Sequence, residues 1–207
     1  MQILFIRHGK CALPYAIPEE GTLHELGIKQ AKITGKALVD QGIERLFSSP
    51  YPRAMQTALY ISKEIGLPVE IRYRIHEKSG PGNRATRSDI ATKFPQFLIP
   101  EDMPEVWWPD HAESWGDVFE RVRPAVEEFK ALEGKHERVA AVAHGGSIDA
   151  MLSVWIGVPP QIEGGPRYHH HNCGFFLVSQ TEGRSRINYV NQAQHLGDLA
   201  EFGIFFG

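Results

Sequence analysis

Only two cysteines, Cys11 and Cys173, occur in 207 residues. That is too few for a disulfide framework, and both read as free thiols. Neither sign of charge dominates: 22 Lys and Arg against 25 Asp and Glu leave a formal net charge of −3. The balance gives no basic footprint for nucleic acid and no attraction to an anionic membrane. No apolar run approaches the roughly 20 residues that span a bilayer. The apolar start Met1–Ile6 is far too short for a secretory leader and reads as a first strand. No repeat, low-complexity tract or linker interrupts the chain. These absences leave one expected domain over residues 1–207, of cytoplasmic type, with room for a sizeable core. Its 42% hydrophobic and 23% charged residues are ordinary for a globular protein.

What is present is alternation. Strand candidates Gln2–Ile6, Arg45–Phe47, Val69–Ile71, Val139–Ala143 and Phe175–Val178 are separated by helical stretches. Leu23–Asp40 has amphipathic spacing at Leu26, Ala31, Ile33, Ala37 and Leu38, and Gln41-Gly42 stops it. Met55–Ile65 and Trp115–Leu132 repeat the pattern. Such alternation predicts an α/β fold: a three-layer α/β/α sandwich around a mostly parallel sheet. The Pro- and Gly-rich stretch from Lys78 to Pro109 is the least regular. It is expected to cap the carboxyl edge of the sheet, over about 78–112, with a short helix near Arg87–Phe94. Long loops on such a scaffold usually carry specificity.

Arg7-His8-Gly9 closes the first strand candidate. A strand that ends this way puts an imidazole and a guanidinium at the carboxyl edge of a sheet. There a glycine lets the backbone turn and approach a ligand. An imidazole can be a nucleophile and a guanidinium binds phosphate oxygens in a bidentate fork, so the tripeptide points to phosphoryl chemistry. Alone, a strand-end histidine is more often a structural residue. Three further segments add to it. In Ser48-Ser49-Pro50-Tyr51-Pro52-Arg53, Ser49 reads as an N-cap and Pro50 as the first helical residue, which places Arg53 in the first turn. A cation there opposes the helix dipole unless an anion sits beside it. Val139–Ala143 ends in His144-Gly145-Gly146-Ser147 before the helical run Ile148–Ile156. Ile75-His76-Glu77 places a carboxylate just after Val69–Ile71.

Taken in order, these segments resemble the histidine phosphatase superfamily, which includes the cofactor-dependent phosphoglycerate mutases. The ordered set also contains Leu23-His24-Glu25-Leu26-Gly27 with Gln30-Ala31, the run from Ser48 to Ala58, and Glu113-Ser114 before a helix carrying Arg121-Val122. It covers nearly the whole chain. The resemblance implies that His8 is the nucleophile and forms a transient phosphohistidine, with neither metal nor cofactor required. It implies a phosphate cradle of Arg7, Arg53 and His144, with the amides of Gly145 and Gly146 as further donors near a helix N-terminus. Glu77 matches the general acid. Relatives of the acid phosphatase branch carry an Asp directly after the second histidine, where this chain has Gly145. The expected partner is a small phosphorylated metabolite, not nucleic acid and not a membrane, and the oligomeric state is left open, a homodimer included.

Several residues admit a plainer reading. Glu77 could be a solvated loop carboxylate, Arg84 and Arg87 solvated cap arginines, and Glu113-Ser114 either a site element or a capping pair. In His169-His170-His171, alternation of faces lets only His169 and His171 share one ion, and no carboxylate or cysteine pair completes a tetrahedral set. A loop on the pocket rim is favoured, with no metal. Cys11 and Pro14 stand where family members often carry Thr or Ser and Asn. The tyrosine- and arginine-rich insertion associated with true mutases is not recognisable between Glu77 and Glu113. The favoured function is therefore a phosphomonoester hydrolase, with a mutase-type isomerase and a catalytically silent phosphoester-binding module as alternatives.

Overall fold

The computed structural model describes residues 1–12, 22–158 and 167–202; Pro14 lies outside them. β1 (Gln2–Arg7) leads to α1 (Glu25–Leu38), β2 (Arg45–Ser48), α2 (Pro52–Ile65) and β3 (Val69–Ile71). After a 3₁₀ turn at Tyr73–Ile75 come α3 (Arg87–Lys93), β4 (Phe97–Leu98) and α4 (Trp115–Lys130). The chain then forms β5 (Arg138–Ala143), α5 (Gly145–Trp155), β6 (Phe175–Thr181), β7 (Arg184–Gln192) and a final 3₁₀ stretch at Gln194–Leu199. The sheet order is β4-β3-β2-β5-β1-β6-β7. Pairings from β4 through β1 are parallel, and β6 and β7 add an antiparallel edge. The α/β sandwich expected from the alternation is thus present.

Period-two alternation in the strands separates two cores. Ile3, Phe5, Val139 and Ala141 face α4 and α5, while Leu4, Ile6, Ala140 and Val142 face α2. Both faces of the central strands are covered, which is why they read as continuous apolar runs. β7 escaped the sequence reading because it is an edge strand whose residues alternate between exposed and half-buried. A signal was present, since Glu182 and Gly183 both have positive φ, 50° and 72°, as a two-residue hairpin turn requires. β4 arises inside the stretch expected to be cap, where Phe97 buries its ring beside β3.

The start of α2 differs from expectation. Pro52, not Pro50, is the first helical residue, and Tyr51 is the N-cap with extended angles of −69° and 136°. A residue before proline is driven out of the helical region, so Pro52 keeps Tyr51 extended. Ser49 is thereby released from capping. Arg53 still falls in the first turn.

The turn after Arg7-His8-Gly9 is held against α1 by backbone contact. A Cβ on Gly9 would stand 2.7 Å from the carbonyl oxygen of Gly27, and one on Gly27 would collide with the carbonyl of Lys10. Backbone atoms on both sides leave nothing flexible to move. Gly27→Ala should therefore cost at least about 2 kcal/mol, as overpacking of a tight site does. Chemical denaturation of both proteins measures it, and a loss under about 0.5 kcal/mol, the range of a neutral surface change, would show that the contact relaxes freely.

Candidate active site

Register builds the site. Arg7 pairs with Ala143 between β1 and β5, and Ser48 with Val142 between β2 and β5, so three parallel strands end side by side. The next residue of each strand, His8, His144 and Ser49, is therefore a neighbour at the carboxyl edge. The His8 amide donates to the Ala143 carbonyl at 3.0 Å and the Ser49 amide to that of Val142 at 3.0 Å. The imidazoles of His8 and His144 lie 5.1 Å apart, centre to centre.

Each ring is oriented by specific partners. His8 Nδ1 lies 2.8 Å from the Gly9 carbonyl oxygen. A carbonyl can only accept, so Nδ1 carries the proton and Nε2 the lone pair. Arg53 Nε donates to that Nε2 at 3.1 Å, and its guanidinium lies over the Tyr51 ring at 4.6 Å. His144 Nε2 is 2.8 Å from Ser49 Oγ, while its Nδ1 is buried without a hydrogen-bond partner. Burial holds the pKa of both histidines well below the ordinary value, and the neighbouring guanidinium of Arg53 pushes the same way, as does that of Arg7. Both rings are neutral at pH 7.

Behind this pair lies a clamp that sequence reasoning missed. Arg7 Nη1 donates to the carbonyl of His170 at 2.7 Å, and Asn172 Nδ2 to that of His8 at 3.1 Å. The Cys173 amide donates to the Arg7 carbonyl at 3.1 Å. His170 is itself buried and pairs through Nε2 with Asp149 Oδ1 of α5 at 2.8 Å. The histidine tract is therefore split by its alternating faces. His170 points into the protein, while the rings of His169 and His171 pack on Phe202 at 5.5 and 4.0 Å. Among the described residues no three His, Cys, Asp or Glu side chains gather to hold a metal ion. Both cysteines are buried and neither forms a disulfide, and burial pushes the Cys173 thiol up to about 12.

Glu77 sits at the start of α5. Its carboxylate accepts from the Gly146 amide at 3.1 Å and from the Lys78 amide at 2.9 Å. The Gly146 amide thus serves Glu77 and not the cradle, which corrects the expectation that it would be free for phosphate. A Cβ at 146 would stand 2.5 Å from the Glu77 carboxylate and 2.7 Å from Trp115, so a side chain there would push Glu77 from this position. The loop carrying Glu77 is anchored from α4. Arg121 forms a bidentate pair with buried Glu113 at 2.6 and 3.1 Å and donates to the carbonyls of Arg74 and His76. Glu113 accepts the Ser79 amide at 2.8 Å. Ser114, by contrast, caps α4 in a reciprocal box with Asp117. The two readings of Glu113-Ser114 divide between the two residues.

The fold and this site define an α/β protein with a paired-histidine, arginine-lined edge. The chain belongs to the histidine phosphatase superfamily (branch 1), whose pattern it matches over residues 3–193. It is 29% identical over 170 residues to a glucosyl-3-phosphoglycerate phosphatase of Mycobacterium tuberculosis, covering 76% of each chain. It is 25% identical over 197 residues to "Probable phosphoglycerate mutase GpmB" of Yersinia enterocolitica, covering 88% of this chain and 86% of that one. Among solved structures, a mycobacterial glucosyl-3-phosphoglycerate phosphatase in complex with inorganic phosphate superposes with a TM-score of 0.67. The two are 26% identical over 94% of this chain and 98% of that one. No helix among the described residues is long and apolar enough to cross a membrane.

The buried neutral histidines make stability depend on pH. His76 joins His8 and His144, its pKa lowered by burial and then by Arg121. Below the unfolded value of about 6.5 the unfolded chain binds protons that the folded one refuses. Stability is thus complete above about pH 6.5 and falls below it, by up to about 1.4 kcal/mol per pH unit for each such group. Thermal unfolding should show a flat Tm from pH 7 to 8 and a decline from 6.5 to 5, with a shallower decline in His76→Gln. A Tm unchanged down to pH 5 would mean the histidines are charged in the fold.

Proposed function

We propose that the protein is a phosphomonoesterase acting through a phosphohistidine at His8, without a metal ion, on small phosphorylated metabolites. The observation that carries this reading is the tautomer of His8. Its proton is committed to the Gly9 carbonyl, so a neutral ring presents the Nε2 lone pair beside the Arg53 guanidinium. A neutral nucleophile avoids repulsion by a phosphate dianion.

In this reading Arg7, Arg53 and His144, with the Gly145 amide, hold the phosphoryl oxygens as charge spreads over them. Ser49 Oγ accepts from the Tyr51 amide at 3.3 Å and lies 2.8 Å from His144 Nε2, which orients that ring. His8 Nε2 forms the N–P bond as the P–O bond to the alcohol breaks, and Glu77 supplies the proton to the departing oxygen. Water then attacks phosphorus and gives its proton to Glu77, the N–P bond breaks, and inorganic phosphate leaves with His8 neutral again. The cations that a metal would supply come from the arginines. Transfer to water, not return to the substrate, is supported by the missing mutase insertion between Glu77 and Glu113. We take residues 1–207 as one domain, with about 78–112 as its cap, and the cytoplasm as its compartment, in keeping with two buried cysteines outside any disulfide.

His8→Ala should abolish hydrolysis of 4-nitrophenyl phosphate while the protein stays folded, and an acid-labile phosphate label should map to His8. Glu77→Ala should lose about 10²-fold more activity on glycerol phosphate than on 4-nitrophenyl phosphate, because only the alkoxide needs the proton. Equal losses would reduce Glu77 to a positioning residue. Activity should also survive exhaustive EDTA treatment; its loss, with recovery on adding zinc, manganese or magnesium, would overturn the metal-free reading.

A further inference from the structure

A cleft of about 560 Å³ opens beside the paired histidines, between the first turn of α2 and the α3 segment. Its size falls in the roughly 300–1,000 Å³ range of pockets for drug-sized ligands, far more than a three-carbon alcohol fills. None of Arg7, His8, Arg53, Glu77 or His144 lines it, but Tyr51 does. The Tyr51 ring meets His144 edge-on at 5.2 Å and lies under the Arg53 guanidinium, so it is a wall common to the cleft and the histidine cluster.

The lining is specific in two respects. Tyr51, Trp107 and Phe94 supply ring faces. Trp107 Nε1 donates to the Ala85 carbonyl at 2.9 Å, and the Tyr51 hydroxyl accepts from Arg84 Nε at 3.0 Å. What they offer a ligand is ring face, with the Tyr51 hydroxyl proton as one further donor. The cations keep some donor capacity. Arg84 uses Nε and Nη1 on Tyr51 and Gly80, which leaves Nη2, and Lys93 makes no ion pair among the described residues. The acidic residue of the cleft, Asp89, accepts through Oδ2 from the amide and hydroxyl of Thr86, both at 2.9 Å, and its charge acts on Lys93, so the charged lining of Arg84, Lys93 and Asp89 is positive by one. Rings beside a lining of net positive charge suit a flat body that ends in negative charge.

We propose that this cleft is the subsite for the alcohol portion of the substrate, and that the substrate is a ring-bearing phosphomonoester carrying a second anionic group. The proposal rests on the phosphatase reading for the orientation of that substrate, with phosphorus at His8 Nε2 and the alcohol passing Tyr51. Arg84 and Lys93 then select the distal charge, and Trp107, Phe94 and Tyr51 the ring.

The test compares 6-carboxy-2-naphthyl phosphate with 2-naphthyl phosphate in the wild type, Arg84→Met and Lys93→Met. The wild type should favour the carboxylate by about tenfold in kcat/KM, the size of one charge-assisted contact, and each variant should bring the ratio close to one. Comparing ratios between proteins cancels the difference in leaving-group reactivity. A ratio that is the same in all three proteins overturns the subsite. A second arm does not depend on turnover: 6-carboxy-2-naphthol binding is followed by its own fluorescence anisotropy. It should bind the wild type and His8→Ala equally, and Lys93→Met about tenfold more weakly. Binding that follows this pattern with no phosphoester hydrolysed would sink the phosphatase reading and leave the subsite standing. Hydrolysis that depends on His8, with a flat ratio and no naphthol binding, would do the reverse.

Discussion

The parallel pairing of β1 with β5 is the constraint from which the site follows. Because Arg7 stands opposite Ala143, the chain must place His8 and His144 next to one another when each strand ends. The same strands are buried on both faces, so the two imidazoles meet in a region where desolvation already disfavours charge. The guanidinia of Arg53 and Arg7 add to that bias. A single register thus sets the distance between the rings, their neutrality and the direction of the lone pair on His8. A slip of one residue would turn every one of these side chains to the opposite face.

Around that pair, the backbone does much of the positioning. Carbonyls of Gly9 and His170 orient His8 and Arg7, and amides of Gly146 and Lys78 hold Glu77. Glycines at 9 and 27 are required where backbone approaches too closely for a Cβ. Further out, buried polar pairs brace the loops. Glu113 with Arg121 fixes the segment that carries Glu77, and Asp149 with His170 fixes the one that meets Arg7. The Glu113–Arg121 ion pair contributes little net stability, yet removing one partner leaves a buried charge uncompensated, at a cost of about 3–5 kcal/mol. Their effect here is to give each loop one arrangement.

Much of this was legible in the residues. Strand–helix alternation was enough for the layered α/β architecture, and the strand-end positions of Arg7-His8 and His144 were enough to set them at one edge. What escaped has a common cause. β7 is a half-exposed edge strand with a weak apolar signal, and β4 is two residues long. Ser49 looked like a cap because its spacing to Pro50 fits one, while the second proline, Pro52, moved the helix start and freed the hydroxyl for His144. His169-His170-His171 looked like a uniform tract. Only packing against Asp149 and Phe202 distinguishes its members.

The sequence by itself determined the element order, the family, and which residue types stand at the ends of β1, α2 and β5, because these are properties of local pattern. Tertiary structure alone decided that Arg53 meets His8 Nε2, that the Gly146 amide turns to Glu77, and that the Asp149–His170 pair supports the strand end. Each of these depends on which acceptor a folded neighbour brings within about 3 Å, and hydrogen bonds fall away steeply beyond that distance and off-line. Pattern along the chain carries no information about such meetings between residues many tens of positions apart.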